Sequence, residues 1–500
     1  MNQLIIDTGK VGGIISRHLY GHFAGSLGTG IYGGLWVGED SPIPNTRGLR
    51  NDVVAALKKI AVPNIRWPGG GYAETYHWRD GVGPRAQRPI TGNGWSGGVT
   101  ENNHFGTHEF MDLCGQVGAE PCLGGNLGSG TVQEMADWLA YLTTPASSPL
   151  SQPRRDHGRQ LPWPIKYWAV GNENWGCGGH MKAEHYAWEF RRYQTFCKNH
   201  SGGKLYKVAC GHEDAWNDIV LGAAHDYMDG LSIPHGRRIG QWGKDGAPTD
   251  FTFDPAGGDV GFAEKQWWQT MRLASDLDQF IRRTLVIMDR YDPEHRIGLI
   301  MNEWGAGQLE PKDRPPGATL YQQNTLRDAL VAGLTLNILH SHADRMPLAN
   351  SAQMVNGLQA MIFTDGPRIL LTPAYHVFEM NRVHHDAALL PSELKCAEAA
   401  PMPAISASAS RDAAGKIHLA ITHLHPTKAA PLQCELPGLS LGGRTRISGR
   451  ILTAGTMDAH NSFAAPSAVV PQPFTDFRVS SGGLTLTVPP KAVLVLSLHE

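Results

Sequence analysis

Short apolar runs and amphipathic helical patterns alternate eight times along residues 19–385. In the helical segments apolar side chains recur every three or four positions, as they do in TVQEMADWLAYL (131–142). A strand that is followed by a helix and then by another strand predicts a parallel sheet, because the helix returns the chain to the edge where the next strand starts. Eight such units predict a (β/α)8 TIM barrel with enlarged loops.

The same pattern predicts where each element lies. The predicted barrel strands cover residues 19–24, 64–67, 120–125, 165–173, 206–211, 229–233, 296–303 and 345–350. The predicted helices cover residues 50–60, 107–118, 131–142, 183–197, 215–227, 262–291, 320–340 and 375–380. A doubly wound open sheet is the alternative, but it usually carries a phosphate-binding loop. The nearest candidate, GNLGSG (125–130), has its glycines in the order GxxGxG and not GxGxxG.

The character of the sequence changes near residue 386. From there to residue 500, short alternating runs are separated by Gly and Pro, which predicts an all-β sandwich of jelly-roll type. The stretches LIIDTG and GGIIS near the N-terminus have a similar pattern. We therefore expect residues 1–18 to add strands to the sandwich, residues 19–385 to form the barrel, and residues 386–500 to form the sandwich.

The overall composition limits the partners. The chain of 500 residues has a net charge of −2 and no long run of Lys or Arg, which argues against nucleic acid or a membrane as a partner. Its N-terminus lacks the basic and apolar regions of a signal peptide, and no apolar stretch reaches membrane-spanning length. The seven cysteines are odd in number and show no CxxC spacing, so we expect reduced thiols in the cytoplasm.

Polar residues follow three of the predicted barrel strands. Arg66 ends the second strand, Asn172 and Glu173 end the fourth, and Asn302 and Glu303 end the seventh. The carboxyl ends of barrel strands meet at one mouth, where active sites lie. Two carboxyl groups at one mouth are what glycoside cleavage requires, one protonated to assist the leaving group and one ionised. The alternative is that each Asn-Glu pair is an ordinary polar turn.

The surroundings of the two carboxyl groups could give them different pKa values. The charge of Arg66 would keep a neighbouring carboxylate ionised, and burial beside Trp would raise the pKa of the other.

Several long motifs, in order along residues 12–395, resemble glycoside hydrolase family 51, which consists mostly of α-L-arabinofuranosidases. The motifs are RWPGGGYAETYHWRDGVGP (66–84), FGTHEFMDLC (105–114), GNENWGCGG (171–179), MNEWG (301–305) and LYQQNTLRDALVAGLTLN (320–337). The resemblance implies hydrolysis of furanosides with retention of configuration, by double displacement. It also suggests a carbohydrate substrate and a homo-oligomer such as a hexamer.

By motif position, Glu173 would be the acid/base, Glu303 the nucleophile, and Asn172 the residue that holds the 2-hydroxyl of the sugar. The resemblance further implies that the sugar subsite is lined by Arg66, Trp95 and Gln353. We expect no metal or other cofactor, because two carboxyl groups and hydrogen bonds are sufficient for this reaction.

The sequence departs from the family pattern at positions where members of the family bind their sugar. Gly25 and Ser26 replace a usual Glu-His, Gly71 replaces a usual Cys or Asn, and Pro234–Gly236 replaces a usual aromatic run. These changes predict an altered subsite, in which His235 refills part of the space. The glycone could then be another furanoside, such as galactofuranose, a xyloside or a β-glucan unit.

Two interpretations from other classes stay open. His340 and His342 have the HxH spacing of a metal pair and would suit a metal-dependent hydrolase, although His is also common at the end of a helix. The other is a non-catalytic sugar-binding protein, a barrel in which the changes at residues 25, 71 and 234–236 no longer allow substrate to be held for catalysis.

Overall fold

The computed structural model describes residues 2–94, 99–238, 258–307, 320–397, 401–439, 441, 445–480 and 482–499, with the backbone alone at residues 235–238. Within these residues, eight parallel strands form a closed barrel. Each strand pairs with the next along the chain, and the eighth pairs with the first. The strands are β1 Gly21–Phe23, β2 Asn64–Trp67, β3 Glu120–Gly125, β4 Tyr167–Val170, β5 Tyr206–Cys210, β6 Gly230–Arg238, β7 Gly298–Gly307 and β8 Leu348–Ser351.

A helix follows each barrel strand. The helices are α1 Asn51–Lys59, α2 Thr107–Val117, α3 Val132–Thr143, α4 Ala183–Phe196, α5 Asp214–Ala224, α6 Glu264–Tyr291, α7 Leu326–Ser341 and α8 Pro373–Asn381. A short helix, Ser151–Asp156, lies between α3 and β4. Thr131 begins α3 by accepting a hydrogen bond from the Glu134 backbone N–H, which satisfies one of the free donors of the first turn.

Helix α7 joins the barrel to the second domain. It is buried from Leu326 to His340, as its apolar sequence on every face would predict. Gly333 permits a close approach, because a Cβ atom there would lie 2.6 Å from Thr422 Oγ1 in the sandwich. Asn337 Nδ2 donates to Ser406 Oγ at 3.3 Å. The helix is therefore covered by the barrel on one side and by the sandwich on the other.

The second domain consists of two sheets that share a core. One sheet has the strand order Ser392–Lys395, Asn2–Ile6, Ala430–Glu435, Gly483–Val488 and Phe477–Ser480. The other has the order Ala388–Leu389, Ile405–Arg411, Ile417–His423, Ala492–His499, Arg446–Leu452 and Gln472–Pro473. Leu432 and Leu486 of the first sheet pack in one buried cluster with Leu419 and Leu496 of the second. This arrangement is a β-sandwich.

The predicted fold class is confirmed, and the open-sheet alternative is wrong because the barrel closes between β8 and β1. The division of the chain at residues 18 and 385 stays a prediction. One correction matters for the site: β4 ends at Val170 and not at Glu173, while β7 continues beyond Glu303 to Gly307. Glu303 therefore lies within a strand, whereas Glu173 lies in the turn that follows β4.

In the part of the chain that the structure describes, no helix has the length and apolar character to cross a membrane.

Candidate active site

Glu303 lies within β7, near the carboxyl end of the strand. Its Oε2 atom is 3.4 Å from Arg66 Nη1 at the end of β2, and Arg66 is only 3% exposed. The strand shifts register against both of its neighbours close to Glu303. An irregularity of this kind redirects side chains at the rim of a barrel. Glu303 is therefore paired with a buried, permanently charged cation.

Arg66 is the centre of a small polar network. Its Nη2 group donates to Asn172 Oδ1, and its Nη1 group donates to the Asn302 carbonyl at 3.2 Å. The guanidinium lies over the Phe23 ring, 4.6 Å from the ring centroid. The predicted polar residues of strands two, four and seven are thus brought together around one arginine.

Glu173 lies in the turn after β4, partly buried, with φ of 45°. Burial raises the pKa of its carboxyl group, and the negative charge of Glu303 raises it further. Cys177 and Arg66 act in the opposite direction on that pKa. A carboxyl group that resists ionisation beside one that is paired with arginine has the protonation pattern of an acid and a nucleophile.

Cys177 contacts the Glu173 carboxyl group directly. Its Sγ atom donates to Glu173 Oε2 at 3.4 Å, and Asn172 Nδ2 lies 4.0 Å from the same sulfur. Burial and the neighbouring glutamate raise the pKa of the Cys177 thiol, so it remains a protonated donor at neutral pH. The spacing of Cys177 from Glu173 is visible in the sequence, but the contact depends on how the GNENWGCGG turn folds.

Phe23, Gly25 and Gln353 lie together next to Arg66, whose guanidinium lies over the Phe23 ring. Gln353 Oε1 accepts a hydrogen bond from the Gly25 N–H at 3.1 Å. A Cβ atom at position 25 would lie 2.6 Å from the Phe23 ring and 2.7 Å from Gln353 Nε2. The change to Gly25 therefore leaves no open space beside its Cα, because these two side chains occupy it. Gln353 Nε2 is buried and has no hydrogen-bond partner among the described residues.

Two predicted subsite residues are placed incompletely. Trp95 lies outside the described residues. The backbone of His235 belongs to β6 and pairs in register with Trp304 of β7, next to Glu303. Its side chain is outside the described part of the structure.

The two histidines of the metal-hydrolase interpretation have different protein partners. His340 Nε2 lies 2.7 Å from Tyr20 Oη, and its Nδ1 lies 2.8 Å from Ser408 Oγ. His342 Nε2 lies 2.7 Å from Asp278 Oδ1. Within the described residues, no cluster of three or more His, Cys, Asp or Glu side chains is suited to hold a metal. These contacts favour a structural role for both rings.

Sequence reasoning missed Glu74, a carboxylate only 2% exposed that lies in the loop after β2. It accepts hydrogen bonds from the turn that carries Glu173 and from the loop after β3. The stretch GGGYAETY gives one signal, an acidic residue among small and aromatic residues. That signal alone does not distinguish a buried anchor from a surface turn.

The closed parallel barrel thus carries an arginine-paired glutamate on β7 and a partly buried glutamate with a raised pKa after β4. These are the two carboxyl groups that define a glycoside hydrolase site.

Known proteins with this architecture resemble the chain closely. Two family models match it: the α-L-arabinofuranosidase 1 domain over residues 56–229 and the α-L-arabinofuranosidase C-terminal domain over residues 302–492. The chain is 42% identical to the intracellular exo-α-L-arabinofuranosidase of Bacteroides ovatus, over 99% of this chain and 94% of that protein. It is similar to the crystal structure of the GH51 arabinofuranosidase from Xanthomonas axonopodis pv. citri, with a TM-score of 0.94, 43% identity and coverage of 100% and 99%. For the arabinose complex of the Thermotoga maritima α-L-arabinofuranosidase, the TM-score is 0.85, with 28% identity and 99% coverage of each chain.

The chain belongs to glycoside hydrolase family 51, the α-L-arabinofuranosidase family, and is a retaining glycosidase.

Proposed function

We propose that this enzyme releases terminal α-L-arabinofuranosyl groups, with Glu303 as the nucleophile and Glu173 as the acid/base. The observation that carries this assignment is the difference between the two environments. Glu303 Oε2 is 3.4 Å from the Arg66 guanidinium, which favours an ionised carboxylate. Glu173 has a pKa raised by burial and by Glu303, which favours a proton on its carboxyl group.

In the first step, a Glu303 oxygen attacks the anomeric carbon and the bond to the leaving oxygen breaks. Glu173 gives its proton to that oxygen, so the leaving group departs as a neutral alcohol. In the second step, Glu173 takes a proton from water, and the water oxygen attacks the anomeric carbon. The bond to Glu303 breaks, and the sugar is released with its original configuration.

The residues around the two glutamates would hold the sugar. Asn172 is proposed to bind the 2-hydroxyl, since its side chain lies between Arg66 and Cys177 at the same mouth. The Gln353 amide nitrogen is buried and has no hydrogen-bond partner among the described residues, so it could donate a hydrogen bond to a sugar hydroxyl. His235 and Trp95 complete the proposed subsite on the basis of their motif positions. Arg66 would act chiefly on Glu303 and Asn172, because its described contacts are with protein groups.

The preferred glycone and linkage follow from the relatives by analogy. Relatives from Halalkalibacterium halodurans and Streptomyces lividans are named intracellular exo-α-(1→5)-L-arabinofuranosidases, each 28% identical to this chain. We propose an arabinose-containing oligosaccharide as substrate. The filled space beside Gly25 supports this proposal over a larger glycone, although the sequence departures at Gly71 and Pro234–Gly236 keep a shifted furanoside specificity as the second candidate.

Two further properties are proposed from the relatives and the cysteines. The relatives from Bacteroides ovatus, Halalkalibacterium halodurans and Streptomyces lividans are named as intracellular enzymes, and all seven cysteines of this chain are free thiols. We therefore propose a cytoplasmic enzyme. We also propose a homo-oligomer, such as a hexamer, because of the family resemblance. Light scattering of the purified protein measures this directly.

A substrate panel tests the proposed activity. We expect hydrolysis of aryl α-L-arabinofuranosides, with kcat/KM at least about 10-fold above that for galactofuranosides, xylopyranosides and β-glucosides, since one substituent in a fitted pocket contributes about that factor. A higher kcat/KM for galactofuranosides would favour the shifted specificity. Binding of arabinosides without any turnover would favour the non-catalytic alternative.

A further inference from the structure

The carboxylate of Glu74 lies beneath the turn that carries Glu173. Glu74 ends a 3-10 turn, Gly71–Glu74, and its side chain is almost completely buried. One carboxylate oxygen, Oε1, accepts from the Asn172 N–H and from Asn174 Nδ2, the latter at 3.2 Å. These are the residues on either side of Glu173. A single oxygen therefore holds both chain neighbours of Glu173.

The other oxygen of Glu74 ties this turn to the next loop of the barrel. Oε2 accepts from the Leu127 N–H at 2.9 Å and from the Gly128 N–H, in the loop that follows β3. The Glu74 carbonyl also accepts from Ser129 Oγ at 2.8 Å. Three loops, after β2, β3 and β4, are thus joined through one residue.

The turn needs such an anchor because its backbone is unusual. Glu173 has φ of 45° and Gly171 has φ of 89°, both in the left-handed region. A side chain disfavours that region, so a non-glycine residue remains there only when surrounding contacts impose it. Asn174 Nδ2 donates also to the Gly178 carbonyl at 3.0 Å, which closes the turn on itself.

All four groups around the Glu74 carboxylate are hydrogen-bond donors. Burial raises the pKa of the Glu74 carboxyl group to about 7, whereas these four hydrogen bonds lower it and so favour the ionised form. An ionised carboxylate has enough lone pairs to accept all four. An amide at the same position would place its NH₂ group against N–H donors, and would leave some of them without an acceptor. The site therefore matches a carboxylate specifically and not any polar side chain of the same size.

We propose that Glu74 is a positioning residue that fixes the left-handed backbone at Glu173 and so places the acid/base at the mouth of the barrel. This inference rests on the proposed acid/base role of Glu173. It assigns no contact between Glu74 and the substrate. Substitution of Glu74 should therefore reduce proton donation by Glu173, while substrate binding and attack by Glu303 change little.

The test compares leaving groups in Glu74→Gln. With poor leaving groups, which need protonation, kcat should fall by roughly 10- to 100-fold, a part of what general acid catalysis supplies. With activated dinitrophenyl leaving groups, the first step should change by less than about 3-fold, and KM should change little for either substrate. The alkaline limb of the pH profile should also shift, because the environment of Glu173 changes and because the substitution removes a second carboxyl group whose pKa burial raises to about 7.

Asp292→Asn is the matched control. Asp292 is also a buried carboxylate that accepts a backbone N–H, from Ile297, but it lies before β7 at the opposite end of the barrel. This control should lower thermal stability without any change in leaving-group dependence or pH profile. If Glu74→Gln affects all leaving groups equally, or if both variants behave alike, Glu74 is only structural and the proposal is overturned.

Asn174→Ala covers the case in which Glu74→Gln does not fold. It keeps the carboxylate and removes one of its donors next to Glu173. We expect the same selective loss with poor leaving groups, but smaller. An Asn174→Ala enzyme with the wild-type leaving-group dependence contradicts the proposal.

Glu173→Ala separates this inference from the proposed function. If Glu173→Ala itself loses activity equally on good and poor leaving groups, the acid/base assignment fails. If Glu173→Ala shows the selective loss and Glu74→Gln does not, only the positioning inference fails.

Discussion

Glu303 and Glu173 lie close enough together for the charge of one to raise the pKa of the other, but different kinds of contact hold them. Glu303 lies on a barrel strand, and its carboxylate is 3.4 Å from a buried guanidinium. Glu173 lies in a turn with left-handed backbone, and its carboxyl group contacts a neutral thiol at 3.4 Å. The nucleophile is held through its own charge, whereas the acid/base is held through the backbone on either side of it.

The difference follows from what each residue must do. A nucleophile has to be ionised, and a cation beside it stabilises that form. An acid has to keep its proton near neutral pH, so a cation in direct contact would lower its pKa too far. The groups that hold Glu173 in position therefore must not be cations in contact with its carboxyl group. Buried Glu74, acting on the flanking backbone, meets that requirement.

Removing the nucleophile should have the largest effect. Glu303→Ala is expected to lower kcat by at least about 10⁴-fold, because the covalent step is lost. Added azide or formate should restore part of the rate and give the inverted product. Product configuration is measured by NMR. A variant that keeps a tenth of wild-type activity contradicts the assignment.

Removing the acid/base should have a large effect that depends on the substrate. Glu173→Ala is expected to lose roughly 10²- to 10⁴-fold in the first step with poor leaving groups. Loss with activated aryl leaving groups should be much smaller, and azide should yield a product with retained configuration. The variant should also lack the alkaline limb of the pH profile, because the group whose deprotonation stops the wild-type enzyme is absent. An unchanged alkaline limb would exclude Glu173.

Much of this site could be predicted from the sequence. Predicted strand ends placed Arg66 and Glu303 at one mouth, because strand bounds such as Asn64–Trp67 follow from a short apolar run after a helix. The contact between Gly25 and Gln353 could not be predicted in this way, since 328 positions separate them. Glu74 was missed for another reason. A glutamate in an irregular loop has the same local signal whether it is solvated or buried beneath a turn.

The backbone at Glu173 could not be predicted either. The apolar run IKYWAV suggested that the strand continued to Glu173, but β4 ends at Val170. The turn depends on Gly171 with φ of 89° and on contacts to Glu74 from another loop. Local propensity does not report such contacts.

Changing the cation tests the nucleophile side of the comparison. Arg66→Lys keeps the charge but cannot reach Glu303, Asn302 and Asn172 together. A decrease in kcat/KM of roughly 10- to 100-fold is expected, as for loss of one or two hydrogen bonds to a charged group. The loss should be similar for good and poor leaving groups, because it acts on the nucleophile and the sugar contact. A loss confined to substrates with poor leaving groups would mean that Arg66 acts on proton donation by Glu173 and not on Glu303.

The smallest effect is expected at the thiol. Cys177 donates to Glu173 and thereby stabilises its ionised form, which lowers the pKa of Glu173. In Cys177→Ala that pKa should rise, by less than about one unit, so the alkaline limb of kcat/KM should move to higher pH. The maximal rate should change by no more than a few-fold. A shift of the limb to lower pH would mean that the thiol does not donate to Glu173.

The central claim is that Glu173 keeps its proton near neutral pH partly because of the negative charge of Glu303. Titration of Glu173 by ¹³C NMR, in the wild type and in Glu303→Gln, measures this directly. Because burial and the Glu303 charge both raise the pKa of Glu173, we expect a raised value in the wild type and a clearly lower one in Glu303→Gln. An ordinary glutamate pKa in the wild type, or the same pKa in both proteins, would contradict the account.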